Sequence, residues 1–374
     1  KKVISFLPLS HIFERVMTYA YMASGAEIYY SNRGKSVVQN FREIRPHFFS
    51  SVPQFLHHFR EYLLEKSEKK SRTYQRVLKW AIHLGEQYPK KGIWYWIQLK
   101  FANWLIFKSW RRVFGNRIQG ILVGVSTLPS KLGSLFSAAK IPIRATYGLT
   151  ETAAFVSMNR FEKNQFQFGT VGLPLSNSEI KIHKPNEFGE GEVWVKGSNF
   201  MRGYQNQSEE SSNKEWFKTG DIGRILENGF LQISGRKKEV FKTSSGKYIA
   251  PQRIENHLKA SSYIQQCMII GVRRPYLTAL VVPDFVKLEE WCNEKRVFWT
   301  NPKYMVLNPK VKEFFQALVD ECNEYHSHHQ KIEKFTLLAE DWAKGREESK
   351  GNNSTKSRTK IEKIKEKAIE KMYQ

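Results

Sequence analysis

Apolar residues at positions 3–7 are followed by Ser10, which can cap, and then by Ile12, Val16 and Ala20 at helical spacing. That pattern predicts a short buried strand feeding a helix. Apolar runs return at 26–30 and 46–52 as further strands. Residues 118–124 (IQGILVG) are almost uninterrupted by polar side chains, as expected of a strand buried on both faces of a parallel sheet. A helix over 132–139 and a strand over 141–145 follow, and the alternation predicts an α/β layer. Residues 61–115 have a helical pattern, lysine-rich at first and then dense in Trp94, Trp96, Trp104 and Trp110.

Beyond residue 165 the pattern shortens. Stretches 169–172, 191–197 and 201–204 alternate between glycine bounds and read as hairpin strands. Asn228-Gly229, between Ile225-Leu226 and Phe230, Leu231 and Ile233, signals a two-residue hairpin. It runs into Gly235-Arg236-Lys237-Lys238-Glu239, where charge replaces the strand pattern and a hinge is expected at Gly235. A helix opening on Pro251, strands at 268–272 and 279–282, and helices near 286–293 and 311–326 predict a compact α+β region. Residues 344–360 read as a polar, charged loop. Ile361, Ile364, Ala368 and Met372 then fall at helical spacing.

Three places along this frame offer chemistry. Ligands of parallel sheets sit beyond the carboxyl ends of strands, which is where residues 146–152 (TYGLTET) fall. That loop supplies Tyr147 to stack on a base, Gly148 for close approach, the Thr150 hydroxyl for a phosphate and the Glu151 carboxylate for Mg²⁺. A capping turn is the structural alternative for Thr150 and Glu151. Asp221, between Gly220 and Gly223, can be held on a tight turn with its carboxylate facing a vicinal diol such as a ribose. The small-residue loop 243–247 (TSSGK) lets other groups approach the backbone closely.

The run FKTGDIGRILENGFLQISGRKKEVFKTSSGKYIAPQRIE (residues 217–255), together with YGLTET, resembles the adenylate-forming acyl-CoA synthetases, and its wording the long-chain fatty-acid CoA ligases among them. The resemblance implies a partial large domain over residues 1–235, built of a parallel sheet with a helical insertion (61–115) and a small β-subdomain (165–235). A small α+β C-terminal lid would span 236–374. It implies Tyr147 beside adenine, Thr150 on the AMP phosphate, Glu151 on Mg²⁺, Asp221 on the ribose and Arg236 by the ribose at the hinge. Gly124, Val125 and Ser126 would form the adenine-side wall, where the family commonly has Gly-Gly-Ala. Gly246 and Lys247 would line the CoA pantetheine tunnel, and His11, in LPLSHIFER, the acyl channel. A lone histidine at a helix start also reads as a packing or capping residue. The adenylation lysine would be Lys356, in Asn-Ser-Thr-Lys, with Lys350 and Lys360 as competitors.

The implied reaction is ATP- and Mg²⁺-dependent ligation of a long-chain fatty acid to CoA through an acyl-adenylate. The family's phosphate loop ending in Pro-Lys-Gly does not occur in the sequence and is expected upstream of Lys1, so the resemblance covers roughly the second half of a full enzyme.

Composition adjusts this picture in two ways. The chain is 374 residues long and 41% hydrophobic, enough for two or three domains, and its three widely spaced cysteines show no paired or metal-like pattern and fit a reducing cytoplasm. A net charge of +24 raises nucleic-acid or anionic-membrane binding. The lysines are scattered and no nucleic-acid-binding signature accompanies them, so no nucleic acid is expected. Two alternatives stand beside the ligase: another adenylate-forming carboxylic acid ligase, and a non-catalytic basic module for membrane or nucleic acid. The tryptophan-rich segment has two readings, an aromatic insertion packed on the main domain or a peripheral surface on the inner face of the membrane. Lys100, Asn103 and Lys108 interrupt it too often for a membrane span.

Overall fold

Ile121 and Val123 are buried at 0% and 1% exposure because their strand, Gly120–Val123, is the middle of a sheet of seven. In chain order its members are β1 (Lys2–Ser5), β2 (Glu27–Tyr30), β3 (Phe48–Ser51), β4 (Gly120–Val123), β5 (Ile143–Tyr147), β6 (Ser157–Met158) and β7 (Leu173–Pro174). The spatial order is β2-β1-β3-β4-β5-β6-β7. The pairs from β2 to β5 are parallel, with Val3 opposite Ile28 and Phe48, and Ile121 opposite Phe49 and Ile143. The short strands β6 and β7 add antiparallel pairings at one edge. The computed structural model describes residues 1–31, 37–68, 70–205, 216–259, 261, 263–340 and 358–373.

Helices α1 (Ile12–Ala23), α2 (Val37–Ile44), α3 (Pro53–Glu68), α4 (Arg72–Glu86), α5 (Ile93–Ala102), α6 (Lys108–Val113) and α7 (Ser130–Ala138) accompany the sheet, with a π-helical turn at Asn103–Phe107. Rings from three elements and from Phe114, just after α6, pack together in the core. Phe41 of α2 lies 4.8 Å from Phe49 of β3, and Phe59 of α3 lies 4.2 Å from Phe114, centroid to centroid. The helical segment starts earlier than residue 61, because Pro53 has no N–H to lose at a first helical position. Helix α2 is not evident from periodicity: its eight residues bury Asn40 and Phe41 alone.

The second sheet is β8 (Ser178–His183), β9 (Gly191–Gly197), β10 (Phe217–Ile225) and β11 (Leu231–Arg236), in the order β11-β10-β9-β8. Two predicted strands are absent here. Residues 169–172 form a turn that leads into β7, and residues 201–204 are irregular. The predicted hairpin exists with a longer loop. Gly229 N donates to Leu226 O and Leu226 N to Phe230 O, so three residues turn the chain and Gly229 takes φ +83°. A positive φ after a type I turn is the usual three-residue solution, and glycine adopts it without steric cost.

The chain divides into two units, Lys1–Ile233 and Ser234–Gln374. In the second, β12 (Phe241–Lys242) and β13 (Tyr248–Ile249) pair as a hairpin, and β14 (Ile264–Ile270), β15 (Leu277–Pro283) and β16 (Ile332–Leu337) form a sheet. Strand β16 runs parallel to β15, a pairing that alternation of side chains does not signal. The helices are α8 (Pro251–Leu258), α9 (Phe285–Lys295), α10 (Pro302–Met305), α11 (Pro309–Glu324), α12 (Arg358–Ile364) and α13 (Glu366–Tyr373). The break at Lys365 shifts the helical phase, so Ile369 is buried while Ile364 is 58% exposed. Arg358 anchors the end of the unit, donating to Glu255 Oε1 and Ile269 O, each at 2.6 Å.

Candidate active site

Strand β5 ends at Tyr147, and the next seven residues fold into a tight, internally bonded loop. Thr152 Oγ1 accepts from Leu149 N at 2.9 Å and donates to Leu149 O at 3.1 Å, while Ala154 N returns to Leu149 O at 3.0 Å. A side chain at Gly148 would put its Cβ 1.9 Å from Ala154 O, so only glycine fits. Asn199 Nδ2 fastens the far side, donating to Thr152 O and Phe155 O at 2.7 and 2.8 Å. The capping hydroxyl is therefore Thr152, which is fully buried, and Thr150 is left exposed on the 3₁₀ turn Thr150–Thr152.

Glu151 on that turn receives the Tyr204 hydroxyl on Oε1 at 2.8 Å, and its backbone oxygen accepts from Met201 N. Hydrogen bonding to Glu151 raises the Tyr204 phenol above its ordinary pKa. Tyr204 belongs to a stretch that sequence reasoning assigned to structure alone. Its hydroxyl sits instead on the carboxylate singled out for Mg²⁺, and as a hard oxygen donor beside exposed Thr150 that carboxylate suits such an ion.

Asp221 is held on a bulge inside β10 rather than on a free turn. Lys218 pairs with Trp194 and Ile222 with Glu192, so β10 carries two extra residues over this interval. Gly220, at φ +71°, takes up the bend. Thr219 Oγ1 accepts from Asp221 N at 3.0 Å and donates to Val193 O at 2.7 Å. The bulge turns Asp221 inward to 5% exposure, where Oδ2 accepts the Tyr147 hydroxyl at 2.7 Å. The two motifs thus meet directly.

Gly124 follows β4, beside β5: Thr146 Oγ1 bonds Val123 O at 3.2 Å, and a Cβ on Gly124 would come within 2.8 Å of the Phe13 ring. Val125 and Ser126 are exposed, and Val125 has φ +73°. The β-branched residue therefore sits in a conformation that glycine adopts freely, at the position where the resembling family commonly has glycine.

His11, not Ser10, caps α1, its Nδ1 accepting from Phe13 N at 3.3 Å, and its side chain is exposed. Ser10 lies in the turn closed by His11 N to Pro8 O. Three positions further, Glu14 is 1% exposed and accepts from Ser5 Oγ at 2.5 Å and from Ser50 Oγ, tying α1 to β1 and β3. Burial raises its pKa. The spacing of Ile12, Val16 and Ala20 places Glu14 on the opposite side of the helix, and it is that side, with Phe13, Met17 and Tyr21, that is buried, so the periodicity carries no signal for it.

In the second unit, Gly235 lies within β11 with ordinary contacts to Ala250 and Gln252, and Arg236 ends that strand exposed. Gly246 has φ +78° in the hairpin loop between β12 and β13 and nothing near its Cβ position; Lys247 is exposed beside it. Lys356 and Lys350 lie outside the described residues, as does the side chain of Lys360. Cys267, Cys292 and Cys322 are buried thiols, and burial pushes Cys322 up to about 12, so none is poised as a nucleophile. Cys322 stands by distance in a group with His257 and His326 that could hold a metal ion. The His257 and His326 rings approach at 3.2 Å, Nδ1 to Nε2, and burial beside His257 and Arg253 lowers His326 to about 4.

The family model for AMP-binding enzymes matches residues 1–205, and that for the AMP-binding enzyme C-terminal domain matches residues 238–374. This chain belongs to the AMP-binding enzyme family. Similar curated proteins include the long-chain-fatty-acid–CoA ligase FadD15 of Mycobacterium bovis, 27% identical over 91% of this chain and 57% of that protein. Human long-chain-fatty-acid–CoA ligase 1 is 30% identical over 83% of this chain and 45% of its own length. The chain spans about half the length of these relatives. Among solved structures, Bacillus subtilis o-succinylbenzoate CoA synthetase in complex with ATP and magnesium covers 91% of this chain and 58% of its own, at TM-score 0.60 and 21% identity. The adenylation domain of a Mycobacterium chelonae carboxylate reductase covers 99% and 54%, at TM-score 0.65 and 18% identity. The fold is that of the adenylate-forming enzymes.

Proposed function

We propose that this chain is the part of a long-chain fatty-acid CoA ligase that holds the adenylate and transfers its acyl group to CoA. The observation that carries the reading is the hydrogen bond from Tyr147 to Asp221, with Glu151 on the adjoining turn. Tyr147 offers an aromatic face for adenine. The buried Asp221 carboxylate has oxygens to accept ribose hydroxyls, its orientation fixed by Thr219 and Tyr147. Thr150 offers its exposed hydroxyl to the phosphate, and Gly124, Val125 and Ser126 would form the adenine-side wall. Mg²⁺, held by Glu151, would supply charge neutralisation at that phosphate.

In the first half-reaction the fatty-acid carboxylate attacks the ATP α-phosphorus, the bond to pyrophosphate breaks, and Lys356 stabilises the developing charge. In the second, the CoA thiolate attacks the acyl carbon and AMP leaves. Hinge motion at Gly235, with Arg236, would exchange Lys356 for the Gly246–Lys247 loop along the pantetheine path, and His11 would border the acyl channel. Family membership and the long-chain ligase relatives support this reading over a non-catalytic basic module.

The test is conversion of supplied palmitoyl-adenylate and CoA to palmitoyl-CoA by the 374-residue chain. The reading expects acceleration over the uncatalysed reaction, a preference for palmitoyl- over benzoyl-adenylate, and slowing by Gly246→Leu, which would obstruct a narrow thiol path. A preference for the benzoyl substrate would place the chain among ligases of other acids, and no acceleration would remove the activity.

A further inference from the structure

Residues 93–108 form one continuous helical rod with two apolar faces, of which the fold uses one. Tyr95, Leu99, Ala102, Ile106 and Phe107 are buried in the core of the first unit. The opposite side carries Ile93 (75% exposed), Trp94 (73%), Ile97 (40%), Phe101 (57%), Trp104 (68%) and Leu105 (46%). At 3.6 residues per turn these six positions fall within roughly 120° of the helix circumference. The buried set falls on the far side.

The rod is fixed in this orientation by a polar clasp. Asn103 Nδ2 donates to Leu99 O and Ala138 O at 3.1 and 2.9 Å, and Arg111 donates to Asn103 Oδ1 and Ala139 O at 2.7 and 2.8 Å. Rolling the tryptophans inward would break the two hydrogen bonds to Ala138 O and Ala139 O at the end of α7 and expose Leu99 and Ile106.

Charge identifies what the face meets. No Asp or Glu occurs from Gln87 to Thr150, while exposed Lys90, Lys91, Lys100 and Lys108 border the stripe. A second copy of this chain is a poor match, since pairing the face with itself would set lysines against lysines with no acid between them. Aromatic and branched side chains flanked by lysines match the boundary of a bilayer with anionic headgroups, where rings sit at the interface and ammonium groups reach the phosphates. Among the described residues no helix is long and apolar enough to cross a membrane, so the rod would lie in the interfacial plane.

We propose that the exposed face of residues 93–108 docks the protein on an anionic lipid surface. This rests on the face alone and is independent of the ligase reading. Sedimentation of the 374-residue chain with phosphatidylcholine vesicles, with or without 30% phosphatidylglycerol, tests it. The chain should partition onto the anionic vesicles with a blue shift of tryptophan emission and quenching by brominated lipid. Trp94→Ser combined with Trp104→Ser should weaken partitioning tenfold or more, and Lys100→Glu with Lys108→Glu should abolish the preference for anionic lipid. Far-ultraviolet circular dichroism checks that both variants fold, and the wild-type quenching stands without them. Failure of the wild type to bind at physiological salt, or binding that both variants leave unchanged, would overturn the proposal.

Discussion

The Tyr147 hydroxyl donates a 2.7 Å hydrogen bond to Asp221 Oδ2 across 74 positions of sequence. It joins the loop after β5 to the bulge in β10, so the ring and the carboxylate position one another before any ligand arrives. Tyr147→Phe removes only this hydroxyl and should cost about 1.5–3 kcal/mol, the range for a bond to a charged group. A double-mutant cycle with Asp221→Asn in urea unfolding should return a coupling energy of at least about 0.5 kcal/mol. Additive effects would show that the two side chains do not support each other.

Backbone geometry separates two glycines. Gly148→Ala places a Cβ 1.9 Å from Ala154 O, and the loop must open. A loss of about 1–3 kcal/mol is expected, with weakened adenylate binding. At Gly246 there is open space but φ is +78°, so Gly246→Ala should cost about 1–2 kcal/mol through backbone strain alone. Thermal unfolding of both variants, with adenylate binding as the second readout, distinguishes steric obstruction from strain.

Val125 gives the opposite sign. Its φ of +73° strains a β-branched residue that is 61% exposed and has little packing to lose. Val125→Gly should stabilise the chain by about 0.5–1 kcal/mol, the relief of strain exceeding the added freedom of the unfolded chain. A lower midpoint of unfolding in the variant would show that Val125 is not strained.

Two buried groups set opposite pH trends. Burial raises Glu14, so the folded state keeps its proton where the unfolded chain has released it. Its contribution is full below the usual carboxylate range near 4.5 and is lost as pH rises through the folded value. His326, lowered to about 4 by burial with His257 and Arg253 nearby, does the reverse: its contribution is full above 6.5 and is lost as pH falls toward 4. His326→Gln should flatten the acid side of a stability–pH curve between 6.5 and 4, and Glu14→Gln should remove the loss on the rising side. Urea midpoints across pH 4–8 measure both.

The sequence disclosed what depends on local pattern. The run at 118–124 announced a doubly buried strand, and residues 146–152 fell at the end of β5 as the α/β rule requires. Long-range geometry was hidden. Nothing in the alternation around Asp221 shows that two extra residues in β10 turn its carboxylate toward Tyr147, or that Tyr204 reaches Glu151 across 53 positions. Helix α2 was too short for a periodic signal, and β16 pairs in parallel with a strand far from it in sequence. The tryptophan-rich segment had two readings, packed insertion or peripheral surface, because it has two apolar faces; only burial tells the packed one from the exposed one.

The central claim is that Tyr147, Glu151 and Asp221 form an adenylate site, and isothermal titration with a non-hydrolysable palmitoyl-adenylate analogue tests it most directly. The account predicts one site per chain, with Asp221→Ala weakening binding on the order of 10- to 150-fold, equivalent to about 1.5–3 kcal/mol for lost bonds to a buried carboxylate. A folded Asp221→Ala chain that binds the analogue as tightly as the wild type would contradict it.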